Sequence, residues 1–309
     1  MMRPEKFDSG QSVCAVIVTY NPEKDALNRL IAAIKRQVKW IVVIDNASNN
    51  SVADIVEDAD VLYLPSPKNE GIAGGQNRGI EWAIKNDATH VLIFDQDSEP
   101  EHDMLEKLLL AESRLIELGH EVAAVGPSYI DVKSGEISPF TSLEGWHIRN
   151  KFSPDFENYT EALCLISSGQ LIRCAVIHKV GAMREDLFID FVDIEWGLRA
   201  GAKGYKSFGV FNAHMNHNFG DSYVKIGKKT LSLHSPLRHY YIMRNSILMY
   251  RANYIPLGWK IADGIKFFKR FLSYIIFSEN KFEHLKWMMF GIKDGLIGRA
   301  GKYGENTRI

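Results

Sequence analysis

The chain has 309 residues, of which 46% are hydrophobic and 24% charged, and its net charge is −1 at neutral pH. These values are typical of a globular protein with one large core or two small ones, and we find no internal repeat or low-complexity tract. The three cysteines, Cys14, Cys164 and Cys174, lack the spacing of metal ligands, so we expect reduced thiols in the cytosol.

Predicted strands alternate with predicted helices from Val13 to about Gly126. The apolar runs that indicate strands lie near residues 13–19, 40–44, 60–64, 89–94 and 121–126. This alternation predicts an α/β fold in which a parallel sheet carries helices on both faces. Beyond it we expect a hairpin at 130–137, a long loop at 139–160 and a mostly helical region from about residue 231.

Polar residues follow four of these strands at the point where each strand ends. The clusters are Thr19-Tyr20-Asn21, Asp45-Asn46, the glycine-rich stretch Asn69 to Gly79, and Asp95-Gln96-Asp97. The carboxyl ends of parallel strands meet at one edge of a sheet, where open α/β sheets hold their ligands. The glycines permit close approach of a ligand but lack the spacing of a dinucleotide-binding fingerprint. Four clusters at one edge indicate a nucleotide site.

Asp95 and Asp97 are the most informative pair in the chain. Two hard oxygen donors so close together suit Mg²⁺ or Mn²⁺ that is also bound by substrate phosphates. Aspartate is also common in turns at strand ends, so the pair alone is weak evidence. The three other clusters favour the metal site.

A second group of carboxylates, Asp190, Asp193 and Glu195, lies amid apolar residues at the start of a predicted helix. In such surroundings the pKa of a carboxyl group can rise towards that of a useful base. The structural alternative is an acidic first turn that complements the helix dipole, with Glu195 paired to Arg199 four residues later.

Two further patterns occur in the second half. His214 and His217 follow a predicted strand at 207–211, in a stretch that we expect to be a loop. Arg238 and Arg244 lie on neighbouring faces of a later helix, and arginine suits phosphate binding. Surface histidines and the surface arginines of an ordinary amphipathic helix are the alternatives.

In order and spacing these motifs resemble the nucleotide-sugar half of inverting family 2 (GT-A) glycosyltransferases. Their residues most resemble those of bacterial rhamnosyltransferases. The resemblance covers about residues 13–250. It implies a GT-A sheet with helices on both faces and a C-terminal helical extension. Residues 1–126 would form the nucleotide-sugar half, residues 127–230 the acceptor and catalytic half, and residues 231–309 the helical region.

The resemblance also implies roles for single residues. Asp193 would be the catalytic base, with Glu195 as the fallback. Asp97, Asp95 and His217 would hold Mg²⁺ or Mn²⁺, with His214 as the fallback for the histidine. The nucleotide sugar would contact Thr19, Tyr20, Asn21, Asp45, Asn46, Asn69, Gly71, Gly74, Asn77, Asp95, Arg238 and Arg244.

The implied reaction is inverting transfer of L-rhamnose from dTDP-β-L-rhamnose to a lipid-linked polysaccharide precursor, such as O-antigen or capsule, in the cytoplasm at the inner face of the plasma membrane. A UDP-hexose or UDP-galactofuranose is the alternative donor. A nucleotidyltransferase would carry a basic glycine-rich signature near its N-terminus, which we do not find, and a non-catalytic nucleotide-binding module would not require Asp193 or His217. Nucleic-acid binding has only the basic C-terminal segment in its favour.

Charge is unevenly distributed along the chain. Residues 255–309 contain ten Lys/Arg and five Asp/Glu, a net charge of +5, which leaves −6 for residues 1–254. Lys266, Lys269 and Arg270 interrupt the apolar, aromatic run in this segment, which argues against a transmembrane helix. A basic amphipathic helix on an anionic membrane is one interpretation. A helix packed on the catalytic domain, or a contact in a homo-oligomer, is the other.

Overall fold

The computed structural model describes residues 10–50, 52–57, 60–131, 137–152, 158–217, 222–226, 229–305 and 307–308. A continuous run of buried β-branched and apolar residues forms the first strand, as expected for a strand covered on both faces. In chain order the strands are β1 Val13–Thr19, β2 Trp40–Asp45, β3 Leu62–Pro65, β4 His90–Asp95, β5 Ser98–Pro100, β6 Val122–Asp131, β7 Phe140–Glu144, β8 His147–Lys151, β9 Tyr159–Ala162, β10 Gln170–Arg173, β11 Lys206–His217, β12 Ser222–Ile226, β13 Lys229–Leu233, β14 Arg299–Ala300 and β15 Thr307–Arg308.

Helices connect most of these strands and make up most of the C-terminal region. They are α1 Lys24–Ile34, α2 Ala53–Glu57, α3 Gly71–Lys85, α4 Met104–Glu117, α5 Cys174–Val180, α6 Val192–Ala202, α7 Pro236–Arg251, α8 Leu257–Phe277 and α9 Lys281–Leu296, with a 3₁₀ turn at Glu185–Leu187.

The main sheet has the strand order β3-β2-β1-β4-β10-β6-β11-β5, and β9 also pairs with β11. Strands β1 to β4 are parallel, as the sequence predicts. Strand β10 is antiparallel to both β4 and β6, so the sheet is mixed. It lies between β4 and β6, which correspond to the predicted strands at 89–94 and 121–126. The sheet therefore contains strands from both predicted halves, and the three-region division stays a prediction.

Helices cover both faces of the sheet, which confirms the predicted α/β architecture. Along β1, Val16 belongs to the core under α3, whereas Ile17 belongs to the core under α1 and α4. Alternate side chains of a strand point to opposite faces, so each strand contributes to both cores. This packing fixes the strand ends, and the polar clusters that follow them, at one edge.

Two predictions about the second half were wrong. The expected loop at 139–160 contains the β7–β8 hairpin and the start of β9. Most side chains of β8 are exposed, so its sequence lacks the alternation that marks a half-buried strand. The histidine stretch is also strand, because β11 continues to His217. Of the hairpin predicted at 130–137, the structure describes an antiparallel bridge between Ile130 and Ile137; residues 132–136 lie outside the described residues.

The C-terminal helices α7, α8 and α9 pack on one another, and α8 also contacts the β7–β8 hairpin. Ser235 caps α7, since its hydroxyl accepts a hydrogen bond from the Arg238 N–H (3.3 Å), and Pro236 occupies the first turn. Gly291 of α9 lies so close to α7 that an added Cβ would come within 2.3 Å of the Tyr240 carbonyl oxygen. This close contact packs α9 directly against α7.

Candidate active site at the carboxyl end of the sheet

The ends of β1 and β2 form a hydrogen-bonded cluster, which we call the nucleotide edge (Thr19 to Asn21, Asp45 and Asn46). The Asp45 carboxylate accepts hydrogen bonds from the Thr19 hydroxyl (3.1 Å), the Ser48 N–H (3.2 Å) and the Tyr63 hydroxyl (3.3 Å). Burial and then the charge of Asp45 raise the pKa of Tyr63, so this hydroxyl remains a donor. The cluster is held in place before any ligand arrives.

Asn46 connects this edge to the start of α3. Its amide donates to the Gly71 carbonyl (2.7 Å) and accepts from the Glu70 N–H (2.8 Å), while Asn69 accepts from the Gly71 N–H (2.9 Å). Gly71 has a φ of +77°, and a Cβ there would lie 2.3 Å from the Phe188 carbonyl oxygen. Only glycine fits this position. The predicted glycine-rich turn is therefore mostly the first turns of α3.

Four aspartates, Asp95, Asp97, Asp190 and Asp193, form a second group that we call the acidic centre. Burial raises the pKa of Asp95 to about 6, repulsion from Asp97 adds to the rise, and Arg238 partly offsets it. Burial likewise raises the pKa of Asp193 to about 6, helped by the charges of Asp95 and Asp190 and opposed by N–H groups of Ile194 and Ser167. The Ser167 N–H binds the Asp193 carboxylate, and the neighbouring Ser168 hydroxyl accepts from the Asp95 N–H (3.2 Å), so Asp193, from α6, lies near the end of β4. The structure thus brings both predicted carboxylate groups together.

Arg238 brings a positive charge to this centre. Its guanidinium donates to the Asp190 carboxylate at 3.2–3.3 Å, and the side chain remains 38% exposed. Since it also stabilises the charge of Asp95, it lies between the two acidic segments. A partly exposed guanidinium at this place can contact a phosphate.

The two histidines lie on β11. His217 pairs in register with Ser98, the residue after Asp97, so the backbone brings it next to the Asp95–Asp97 turn. Its side chain lies outside the described part of the chain. The Nδ1 of His214 is buried and has no hydrogen-bond partner among the described residues. Nor do three His, Cys, Asp or Glu side chains form a ready-made metal site within that part of the chain.

The backbone just before α6 is strained. Phe188, Asp190 and Phe191 have φ values of 66°, 62° and 67°, in the left-handed region that costs a residue other than glycine on the order of 1–3 kcal/mol. The Asn245 amide of α7 donates to the carbonyls of Leu187 (2.9 Å), Ile189 (2.7 Å) and Asp190 (3.0 Å). These bonds hold the segment that presents Asp190 and Asp193.

Two residues predicted to contact the donor have structural partners instead. The Arg244 guanidinium is fully buried and donates to the carbonyls of Gly301, Asp186 and Leu187. Arg244 is therefore not a surface arginine of an amphipathic helix, which was the alternative interpretation. The Asn77 amide exchanges hydrogen bonds with the backbone of Met183, both at 2.9 Å. Both side chains fasten the segment before α6 and do not reach the acidic centre through these contacts.

Glu195 is fully buried and belongs to a structural ion pair. Its carboxylate binds the Arg199 guanidinium through two bonds of 2.9 and 3.0 Å and also accepts from the Tyr254 hydroxyl. Arg199 in turn donates to the carbonyls of Val180 and Ala182, both at 2.7 Å. A fully buried carboxylate that is bound in this way is not open to an acceptor hydroxyl, which favours Asp193 as the base.

The sequence can now be compared with known proteins. Residues 14–181 match the family described as Glycosyl transferase family 2. The chain belongs to this family. It is 34% identical over 293 residues to the dTDP-rhamnosyl transferase RfbF of Shigella flexneri, a match that covers 94% of this chain and 97% of that protein. The predicted family and enzyme class are confirmed.

Solved structures confirm the GT-A fold of this glycosyltransferase. The crystal structure of GalNAc-T7 with UDP, GalNAc and Mn²⁺ has a TM-score of 0.56 and 13% identity, covering 94% of this chain; this chain spans 58% of that one. The structure of S. aureus TarS 1-349 with UDP-GlcNAc has a TM-score of 0.55 and 18% identity, covering 93% of this chain and 81% of that one.

Two further residues contact the candidate site, and neither was assigned a role of its own from the sequence. Gln96, between the two aspartates, accepts from the Tyr20 N–H (2.8 Å) and so joins β1 to the Asp95–Asp97 turn. The Ser168 hydroxyl accepts from the Asp95 N–H (3.2 Å). Neither position has a distinctive local pattern; the polar run Ser167-Ser168-Gly169 before an apolar strand is the one available signal.

Proposed function

We propose that this glycosyltransferase transfers L-rhamnose from dTDP-β-L-rhamnose to a saccharide hydroxyl in one inverting step. The observation that carries the proposal is the position of Asp193, whose carboxylate is bound by the Ser167 N–H next to the end of β4. The name of the RfbF relative supports this choice of donor.

The nucleotide edge would bind the base and ribose of the donor. Thr19 and Asp45 are already hydrogen-bonded to each other, and Tyr20 exposes 48% of its surface beside them. Asn21, Asn46, Asn69, Gly71 and Gly74 would shape the wall of this pocket. Arg238 would contact the diphosphate. Arg244 and Asn77 are left out of this set because of their structural partners.

A divalent cation, Mg²⁺ or Mn²⁺, fits the residues at the end of β4. Asp95 and Asp97 would supply carboxylate oxygens, and a cation would relieve the repulsion between them. The backbone of His217 lies beside Ser98, the residue after Asp97. Mg²⁺ sites in proteins are commonly completed by substrate phosphates and water, so two or three protein ligands suffice. The bound cation would neutralise the charge that develops on the leaving diphosphate.

Asp193 would act as the general base. Its carboxylate is unprotonated above about pH 6 and can accept the proton of the acceptor hydroxyl as that oxygen attacks the anomeric carbon. The N–H groups of Ile194 and Ser167 orient it and stabilise its charge. Attack from the face opposite the diphosphate inverts the configuration at the anomeric carbon and gives an α-L-rhamnoside.

The acceptor would be a lipid-linked precursor of a cell-surface polysaccharide such as O-antigen, bound by the second half of the GT-A domain. Such an acceptor would place the enzyme in the cytoplasm at the inner face of the plasma membrane. A UDP-hexose or UDP-galactofuranose remains the alternative donor for the same chemistry.

A donor screen tests the proposal. The purified enzyme is incubated with Mg²⁺ or Mn²⁺ and, in separate reactions, with dTDP-L-rhamnose, UDP-glucose, UDP-galactose and UDP-galactofuranose, and the released nucleoside diphosphate is measured with an acceptor extract. Release from dTDP-L-rhamnose alone supports the proposal. Release only from a UDP-sugar would overturn the donor while leaving the enzyme class intact.

A further inference from the structure

Helix α8 exposes a continuous apolar stripe along its whole length. The residues recur every three or four positions, and each exposes between 42% and 71% of its surface: Leu257, Ile261, Ile265, Phe268, Leu272 and Ile276. This spacing places them on one side of the helix. The opposite side, with Trp259 and Tyr274, is buried. Contiguous exposed apolar surface of this kind marks an interaction site.

Exposed aromatic residues lie near both ends of α8. At its start, Gly258 packs so tightly on the β7–β8 turn that an added Cβ would lie 2.0 Å from the Gly145 carbonyl oxygen. Trp146, which follows Gly145 in that turn, is 59% exposed. At the other end, Phe282 at the start of α9 is 90% exposed. We call the stripe together with Trp146 and Phe282 the α8 face.

Basic residues surround this face. On the helix, Lys260 and Lys269 lie on either side of the apolar stripe, and Lys281 follows the end of α8. The segment 255–309 carries a net charge of +5 against −6 for the remainder. An apolar helical face with aromatics and flanking lysines is the composition of helices that lie in the plane of a membrane interface.

We propose that the α8 face docks on the surface of an anionic lipid bilayer, with α8 lying parallel to it. Charge separates this occupant from a second copy of the chain. Two α8 faces brought together would juxtapose two basic segments, whereas anionic headgroups complement them, with each lysine near the surface contributing favourably. Within the described residues no helix is long and apolar enough to cross a membrane, so the face lies on the bilayer and does not span it.

Docking in this orientation would also bring the β7–β8 turn to the headgroups. Tryptophan is enriched at membrane–water interfaces because its ring is apolar while its N–H can remain hydrated. Trp146 would therefore enter the interface together with Leu257. The enzyme would then meet its acceptor at the membrane surface, a consequence that rests on the proposed function, whereas the docking itself does not.

Vesicle flotation of the full chain, without donor or acceptor, tests the docking. Vesicles contain phosphatidylcholine alone or with about one third phosphatidylglycerol, at low and high salt. We expect binding to the anionic vesicles that high salt weakens. Replacing both Phe268→Ser and Leu272→Ser should weaken it at least about tenfold, since each buried side chain adds apolar area. Trp146→Ser should weaken it less.

The matched control is Leu110→Ser on α4, which removes a similarly exposed leucine (64%) from a helix on the opposite face of the sheet and should leave binding unchanged. Circular dichroism confirms that each variant is folded. The proposal is overturned if the parent ignores anionic vesicles at low salt, or if Leu110→Ser weakens binding as much as the α8 pair. A concentration-dependent dimer that the α8 pair abolishes would assign the face to a second copy. The donor screen fails or succeeds independently of all these outcomes.

Discussion

At the nucleotide edge the Asp45 carboxylate accepts hydrogen bonds from neutral groups of three residues, Thr19, Ser48 and Tyr63, whereas at the acidic centre Asp95 and Asp193 are buried, repel each other and have raised pKa values. The edge is satisfied before the donor arrives. The centre carries unfavourable charge that a cation and a proton-donating acceptor would relieve. In the proposed mechanism, binding and chemistry are separated along one sheet edge, and substitutions in the two regions should change different kinetic constants.

The largest effect is expected at the metal site. Asp97→Ala should lower kcat/KM by at least about 100-fold, because a Lewis acid is worth several kcal/mol to a leaving diphosphate. EDTA should have the same effect on the parent. Asp25→Ala, which removes an exposed aspartate from α1, is the matched control and should be neutral. Full activity of Asp97→Ala, or of the parent in EDTA, would rule out the metal assignment.

Asp45→Asn should raise KM for dTDP-rhamnose by roughly 10-fold while kcat changes little. A hydrogen bond to a charged group contributes about 1.5–3 kcal/mol, and these bonds lie far from the reacting atoms, so ground state and transition state lose the same amount. Steady-state kinetics with varied donor measures both constants. A fall in kcat at unchanged KM would mean that the two regions are not separate.

Asn245→Ala should lower stability by about 2 kcal/mol and reduce kcat by roughly tenfold. It removes the amide that holds three carbonyls of the strained segment before Asp193. Tyr250→Phe is the control, since it removes another buried hydrogen bond of α7, to Asp263 (2.7 Å), away from that segment. Thermal melts and kinetics of both variants decide the question. Equal losses of kcat in the two variants would show that Asn245 acts only through overall stability.

The smallest effect concerns pH. Asp193 must be unprotonated to accept a proton, so kcat/KM should fall as pH decreases through about 6. With metal bound, this fall should occur at a somewhat lower pH, because the metal offsets the charge of Asp95. The free energy of unfolding of the ligand-free protein should change with pH in the opposite direction. The raised pKa values of Asp95 and Asp193 mean that the folded state binds more protons, so stability falls as pH rises from 3.8 to about 6. A pH–rate profile flat to pH 5 would contradict the assignment of the base.

The nucleotide edge could be predicted from the sequence because its parts are local. Each strand of that half is a short apolar run that ends in polar residues, and parallel strands align those ends. The acidic centre could be predicted only as two separate groups, since Asp95 and Asp193 lie about a hundred positions apart. Their meeting depends on β10, an antiparallel insertion that no periodicity indicates.

Arg244 and Asn245 are a second case in which the sequence does not reveal the partners of a polar residue. An arginine beside an asparagine on a helix indicates a ligand site as readily as a structural one. Their real partners are backbone carbonyls of a distant segment, and backbone carbonyls leave no trace in a sequence. Glu195 was ambiguous for a similar reason, because its pairing with Arg199 was visible but its complete burial was not.

The rate of a single turnover, measured together with donor affinity, tests the central claim that Asp193 is the base of this transfer. For Asp193→Asn we predict a rate at least about 100-fold below the parent and a Kd for dTDP-rhamnose within about threefold of it. Glu195→Gln should lose stability, because it breaks a buried ion pair, yet retain the rate in its folded fraction. An active Asp193→Asn beside a folded but inactive Glu195→Gln would contradict the account.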